Sequence, residues 1–112
     1  MFSFLSKQND IDISSEEFRQ KRESNSGVVI DVRTQEEFED GHLKITDAQH
    51  NWLNGDFHNA VEEMDKSETY YLYCRSGNRS GQAARMMKNK GFENVYNVGG
   101  FDDLVSAGFE AE

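Results

Sequence analysis

Short apolar runs alternate with amphipathic segments along most of this chain. The two most apolar runs, residues 28–32 and 70–73, are rich in β-branched or aromatic side chains, which is typical of strands buried on both faces. Residues 95–98 predict a third strand of this kind. Weaker signals predict an edge strand over residues 11–13 and a short strand over residues 48–50. The pattern therefore predicts a five-stranded sheet.

Helix-start signals lie between these runs. Ser14 and Thr34 each precede a glutamate by three residues, which is the capping-box pattern that begins a helix. Together with further amphipathic segments, the predicted helices cover residues 15–23, 35 to about 41, 56–64, 80–90 and 101–107. Strands and helices that alternate at this spacing predict a three-layer α/β fold, in which a mostly parallel five-stranded sheet carries helices on both faces.

The length of 112 residues predicts one compact domain. We expect this domain to cover residues 11–112, after a loosely held N-terminal extension over residues 1–10. The net charge of −9 argues against binding to nucleic acids or anionic membranes. Residues 1–7 lack the basic and apolar segments of a secretory signal, and no apolar run is long enough to cross a bilayer. Because a single cysteine excludes an internal disulfide, we expect a reducing, cytoplasmic setting.

That cysteine, Cys74, directly follows the strand at residues 70–73 and precedes a turn that opens a helix. Parallel sheets place ligands at the carboxyl ends of their strands. A helix start directs backbone N–H groups and the positive end of its dipole toward the same point. The thiol should therefore have a lowered pKa and be present largely as thiolate. A lone cysteine is more often a small buried apolar residue, but this position favours a nucleophile.

Basic residues are concentrated after the cysteine, in a region without acidic residues. Between residues 74 and 91 these bases are Arg75, Arg79, Arg85, Lys88 and Lys90. The rest of the chain is strongly acidic. A small anion should therefore be drawn to this region.

Cys74 and Arg79 are separated by four residues, so the loop between them must curl until several N–H groups converge on the sulfur. Gly77 supplies the backbone freedom for that curl. Such a ring of donors stabilises an anion carried by the sulfur, either a persulfide or a phosphocysteine. A phosphoryl group needs a wider cradle for its three oxygens than one added sulfur atom does. The short loop favours sulfur and leaves phosphate chemistry open.

Residues 74–80 read Cys-Arg-Ser-Gly-Asn-Arg-Ser. This segment resembles, residue for residue, the active loop of single-domain rhodaneses, the thiosulfate sulfurtransferase family. Supporting matches in the order of that family are Asp31-Val32-Arg33, Glu37-Phe38, Gly41-His42-Leu43 and Asn97-Val98-Gly99-Gly100-Phe101. The resemblance covers roughly residues 11–109 and implies a rhodanese-like domain. In that family a six-residue loop accompanies sulfur transfer, whereas a seven-residue loop accompanies related cell-cycle phosphatases and arsenate reductases.

The resemblance implies a two-step reaction at Cys74. The thiolate takes a sulfane sulfur from thiosulfate or a similar donor, and the persulfide then passes it to cyanide, a small thiol or a protein acceptor. Arg75 and Arg79 would attract the anionic donor, and no metal or organic cofactor is required. The residues implied to bind the substrate or the persulfide are Arg75, Ser76, Gly77, Asn78, Arg79 and Ser80.

Other positions support the loop or depart from the family. Asp31 and Arg33 end a predicted central strand, and we expect them to hold the loop through a buried ion pair. Residues 44–51 are longer than the corresponding segment of the family and lack its proline. Leu104 stands where a tryptophan is common, and Glu110 where a proline is. None of these departures touches the sulfur chemistry, but because of them the resemblance does not settle the pocket shape or the substrate choice.

Two other functions stay open. A persulfide carrier or binding module that serves a protein partner, and scarcely turns over free thiosulfate, fits the small size, an open-looking site and the acidic surface. A phosphatase or an arsenate reductase is a weaker alternative. We expect a monomer or a weak dimer.

Overall fold

The computed structural model describes residues 10–112, so that the predicted extension over residues 1–10 lies outside the described residues except for its last position. The strands are β1 (Val28–Asp31), β2 (Ala48–Gln49), β3 (Thr69–Cys74) and β4 (Asn94–Gly100). The helices are α1 (Ser15–Ser24), α2 (Gln35–Asp40), α3 (Asp56–Val61), α4 (Asn78–Asn89) and α5 (Phe101–Ser106). None of these helices is both long enough and apolar enough to span a bilayer.

Within residues 10–112, four strands form one parallel sheet in the order β2-β1-β3-β4. The predicted parallel α/β fold is confirmed, and the prediction of a fifth strand over residues 11–13 is wrong. Asp12 forms only an isolated parallel bridge to Asn97 of β4. The side chain of Ser14 then caps α1 through the N–H of Glu17, so the chain leaves the sheet after one bridge.

Every residue of β3 is buried, and its side chains alternate between the two faces of the sheet. Leu72 and Cys74 lie in the apolar cluster that Met87 of α4 completes. Tyr71 and Tyr73 lie in the opposite cluster, to which α1 and α5 contribute Phe18 and Leu104. Helices therefore cover both faces, which makes the three layers that the sequence predicts. Cys74 lies at the carboxyl end of a central strand, on the face that α4 covers.

The hydroxyl of Tyr73 connects the central strand to the segment that precedes β2. It accepts a hydrogen bond from the N–H of Leu43 at 3.1 Å and lies 2.8 Å from Oγ1 of Thr46. Burial is the main reason why the pKa of Tyr73 rises to about 12. The phenol therefore stays neutral and joins residues 43–46 to the strand that carries Cys74.

Candidate active site

The loop between β3 and α4 curls over the sulfur of Cys74. Gly77 ends this loop with φ at +94°, a left-handed conformation that favours glycine. The backbone N–H of Gly77 donates to Sγ at 3.0 Å, and the N–H and hydroxyl of Ser80 lie 3.4 and 3.3 Å from it. The sequence places the start of α4 at residue 80, but the helix begins at Asn78. Only three residues therefore form the turn, which is why the donors converge so tightly.

Two opposing effects decide the pKa of Cys74, which is lower than the ordinary thiol value. Burial, the largest of them, raises this pKa because it penalises the charged form. Hydrogen bonds from the hydroxyl and N–H of Ser80 and from the N–H groups of Ser76 and Gly77 lower it, and together they outweigh burial. The loop therefore favours a thiolate, the nucleophilic form of the side chain.

The sulfur is covered in this structure. Cys74 has an exposed fraction of 0%. The expectation of an open site is therefore wrong. Ser80 is also buried, whereas Arg75, Ser76 and Asn78 are exposed along the outer side of the loop. A molecule that reacts with the sulfur therefore reaches it only when the covering residues move.

Glu37 of α2 is a member of the site that the sequence reasoning missed. Its two carboxylate oxygens accept hydrogen bonds from Nη1 and Nη2 of Arg79 at 2.9 and 3.0 Å. Nη1 of Arg75 lies 3.5 Å from the same carboxylate. Hydrogen bonding from Arg79 is the largest cause that lowers the pKa of Glu37 to about 2. The two arginines next to Cys74 therefore share a carboxylate, and less of their charge is free to attract an anion.

The signal for Glu37 was present in the sequence but indicated another role. Glu37 completes the capping box of α2, in which its carboxylate accepts from the N–H of Thr34 at 3.0 Å. A capping residue satisfies a local pattern, and Arg79 is 42 positions away in the chain. Only the fold brings these two side chains together.

Asp31 and Arg33 form a buried ion pair beside the site. Nη2 of Arg33 lies 2.7 Å from Oδ2 of Asp31, and Nε lies 2.9 Å from Oδ1. The same Nη2 donates to the carbonyl of Gly41 at 2.7 Å, and the guanidinium lies 4.7 Å from the ring centre of Phe101. The pair therefore joins the end of β1 to the C-terminus of α2 and the start of α5.

A cavity of about 250 Å³ lies next to the active loop. Arg33 and Arg75 contribute positive charge to its wall, and Glu37, Asp40 and Asp102 contribute negative charge. Since Arg33 is paired with Asp31, the cavity offers a mixed rather than a basic environment.

Within residues 10–112, no group of three or more histidine, cysteine or acidic side chains is arranged to hold a metal ion.

Asn97 of β4 is the second site residue that the sequence reasoning did not single out. Its Oδ1 accepts from the hydroxyl of Ser80 at 2.7 Å and from the N–H of Gly99 at 3.2 Å. Its Nδ2 donates to the carbonyl of Gly77 at 3.0 Å and to Oδ1 of Asp12 at 2.9 Å. A polar residue within an apolar strand was the available signal, since a buried amide requires partners.

The fold and the site together define a class: a parallel α/β domain in which a short loop holds a cysteine sulfur at the carboxyl end of a central strand. The family model of the Rhodanese-like domain matches residues 14–107. The chain therefore belongs to the rhodanese-like domain family.

Similar proteins and structures agree with that assignment. The chain is 40% identical over 88 residues to the "Putative sulfur carrier protein YrkF" of Bacillus subtilis, a match that covers 78% of this chain and 46% of the relative. It is 32% identical to the thiosulfate sulfurtransferase GlpE of Ectopseudomonas mendocina, with 83% of each chain covered. The crystal structure of a rhodanese-like domain protein from Staphylococcus aureus superposes with a TM-score of 0.71 and 27% identity, over 89% of this chain and 96% of that one. The chain thus spans about half the length of the carrier and most of the sulfurtransferase.

Proposed function

We propose that this protein transfers sulfane sulfur through a persulfide on Cys74. The observation that carries the proposal is the tight set of donors on Sγ, at 3.0 to 3.4 Å, supplied by a turn of only three residues. The family membership supports it, as do relatives named as a thiosulfate sulfurtransferase and a sulfur carrier. A free thiol of this kind persists in a reducing compartment such as the cytoplasm.

In the first step the Cys74 thiolate attacks the outer sulfur of thiosulfate. The bond between Sγ and that sulfur forms, the sulfur–sulfur bond within thiosulfate breaks, and sulfite leaves with the electron pair. The loop N–H groups then bind the terminal sulfur anion of the persulfide. In the second step a thiolate or cyanide attacks the terminal sulfur, and the Cys74 thiolate is regenerated. No net oxidation occurs and no cofactor enters.

The loop length separates sulfur from phosphoryl chemistry in this proposal. A phosphocysteine would bring three oxygens that need donors around them and an arginine to balance their charge. Arg79, the arginine of the loop motif, is instead bound to Glu37 through both terminal nitrogens. This pairing supports a small, singly charged cargo on the sulfur rather than a phosphoryl group.

A persulfide carrier is the second candidate, and the arrangement of charges favours it over a general thiosulfate enzyme. Arg75, Arg79 and Arg33 all lie within 3.5 Å of a carboxylate, so a free dianion meets a compensated site. The burial of Cys74 also favours a carrier, because a protein partner that displaces the covering residues would gain access to the sulfur. The carrier would accept its sulfur from the persulfide of a partner protein.

Two measurements test these proposals. Intact mass spectrometry after incubation with thiosulfate, or with a low-molecular-weight persulfide, should show one added sulfur atom in the wild type and none in Cys74→Ser. Absence of the adduct with every sulfane donor would overturn the proposal. Steady-state turnover with thiosulfate and cyanide then separates the two candidates, since ready loading with negligible turnover identifies the carrier.

A further inference from the structure

The hydroxyl of Ser80 lies between two acceptors. Its oxygen is 2.7 Å from Oδ1 of Asn97 and 3.3 Å from Sγ of Cys74. A serine hydroxyl has one proton and can donate to only one acceptor at a time. All three side chains are buried, so water does not readily replace whichever bond is absent. The two acceptors therefore compete for one proton.

We propose that Asn97 is a positioning residue that holds the Ser80 hydroxyl while the Cys74 sulfur is neutral and releases it to the sulfur when the sulfur becomes a thiolate. This inference rests on the proposed role of Cys74 as the reactive thiol. The reason is the relative strength of the acceptors. A neutral thiol sulfur is a weak acceptor compared with an amide oxygen, whereas a hydrogen bond to a charged sulfur is charge-assisted.

Three of the four partners of Asn97 determine which way its amide faces. Asp12 and the carbonyl of Gly77 both offer oxygen acceptors, so they require the Nδ2 side of the amide. The N–H of Gly99 is a donor, so it requires Oδ1. Flipping the amide would place like groups against each other in all of these contacts. Oδ1 is therefore held facing the Ser80 hydroxyl.

The charged groups around the sulfur come from several elements. Arg75 lies in the loop, Arg79 lies in α4 and binds Glu37 of α2, and Asp12 precedes α1 and reaches Asn97. Asp31, which is paired with a buried arginine, ends β1. Substitutions at Ser80 and Asn97 leave each of these charges in place. A change in the pKa of Cys74 then reports on the hydroxyl rather than on altered charge.

Two substitutions that break the same hydrogen bond should act in opposite directions. Ser80→Ala removes the donor that stabilises the thiolate, so the pKa of Cys74 should rise. Asn97→Ala removes the competing acceptor and leaves the hydroxyl to the sulfur, so this pKa should fall. In the pH profile of alkylation by iodoacetamide, the midpoint should rise by about one pH unit in the first variant and fall by about half a unit in the second. Ser80→Thr should restore the wild-type behaviour because it retains a hydroxyl.

The alternative is that Asn97 only holds the loop in shape. Its loss would then loosen the N–H groups around the sulfur and raise the pKa of Cys74, as Ser80→Ala does. The loop keeps another support in the variant, since the carbonyl of Gly77 still accepts from the N–H of Gly81 at 3.0 Å. Asp12→Ala is the matched control, because it removes one partner of Asn97 without touching the hydroxyl. Its lost negative charge should lower the pKa of Cys74 only slightly, so a rise in this variant would show that Asn97 acts by holding the loop.

The decisive measurement is a double-mutant cycle on the full chain, read as the pH dependence of the alkylation rate. If Asn97 acts through the hydroxyl, Asn97→Ala should have no effect in the Ser80→Ala background. A rise in pKa with Asn97→Ala alone, or an equal effect in both backgrounds, would overturn the proposal. Asn97→Leu replaces the alanine variant if that one does not fold. Alkylation requires no sulfur donor, so failure here is distinguishable from failure of persulfide formation.

Discussion

Replacement of Glu37 by glutamine tests how the arginines of the site are held. The glutamine side chain would keep a carbonyl oxygen for the N–H of Thr34 but would lose the charge that binds Arg79 and Arg75. The pKa of Glu37 falls from 4.5 to about 2, which corresponds to roughly 3 kcal/mol of differential interaction. The side chains of Glu37 and Arg79 are 20% and 17% exposed, so solvent screening reduces the net effect to about 1–2 kcal/mol.

Urea unfolding followed by the fluorescence of Trp52 should show this loss of stability. Because the folded-state pKa of Glu37 lies below the ordinary value, its stabilising contribution is complete above about pH 4.5 and is lost as the pH falls toward 2. The difference between wild type and Glu37→Gln should therefore be largest near neutral pH and shrink in acid. Glu36→Gln is the matched control, since Glu36 is an exposed neighbour on the same helix and the net charge changes equally.

The same substitution should improve the capture of thiosulfate. Removal of one negative charge beside a dianion is worth about 1 kcal/mol in a solvent-like dielectric, or about fivefold in KM at low salt, and less at physiological ionic strength. If Glu37→Gln and Glu36→Gln give equal KM and equal stability, the pairing of Glu37 with the two arginines does not control the site. That result would also remove the charge argument for a carrier.

Three further substitutions probe the loop and its support. A Cβ on Gly100 would collide with the carbonyl oxygen of Arg75, so Gly100→Ala should displace the loop. Persulfide loading, measured by intact mass spectrometry, should fall at least tenfold, and unchanged loading would contradict this packing argument. The side chain of Arg75 is 72% exposed, so Arg75→Ala should raise KM for thiosulfate a few fold with no change in the urea midpoint. A loss of stability would show that its contact with Glu37 is stronger than the distance indicates. Tyr73→Phe should lower the free energy of unfolding by about 1–3 kcal/mol, because the buried N–H of Leu43 loses its acceptor. A change below about 0.5 kcal/mol would refute that account.

Most of the secondary structure follows from local signals. Ser14 and Thr34 cap α1 and α2 as predicted, and each helix starts at the next residue. Only Thr34 forms the full capping box, in which the side chain of Glu37 bonds back to the cap. The apolar runs at residues 28–32 and 70–73 become β1 and β3, since strands buried on both faces require continuous apolar sequence. The prediction of a fifth strand over residues 11–13 failed because alternation over three residues is a weak signal. The helix cap at Ser14 ends the extended segment there.

The sequence by itself was enough to propose the reactive group. One cysteine, a strand before it, a glycine in the turn and a helix after it are all adjacent in the chain, and adjacency is enough to predict a stabilised thiolate. The predicted ion pair between Asp31 and Arg33 is present, because the two residues flank one position at the end of a strand. Its further contacts are with Gly41 and Phe101, so its role in holding the loop stays a prediction.

Only the tertiary structure decided how that thiolate is controlled. Glu37 compensates the arginines from 42 residues away, and Asn97 reaches the Ser80 hydroxyl from a neighbouring strand 17 residues later. Glu37 already satisfied a local pattern as part of a helix cap, and Asn97, a polar residue within a strand, indicated only that it needs partners. Hydrogen bonds and charges act through space over a few ångströms, and separation along the chain does not reveal which groups the fold will bring that close.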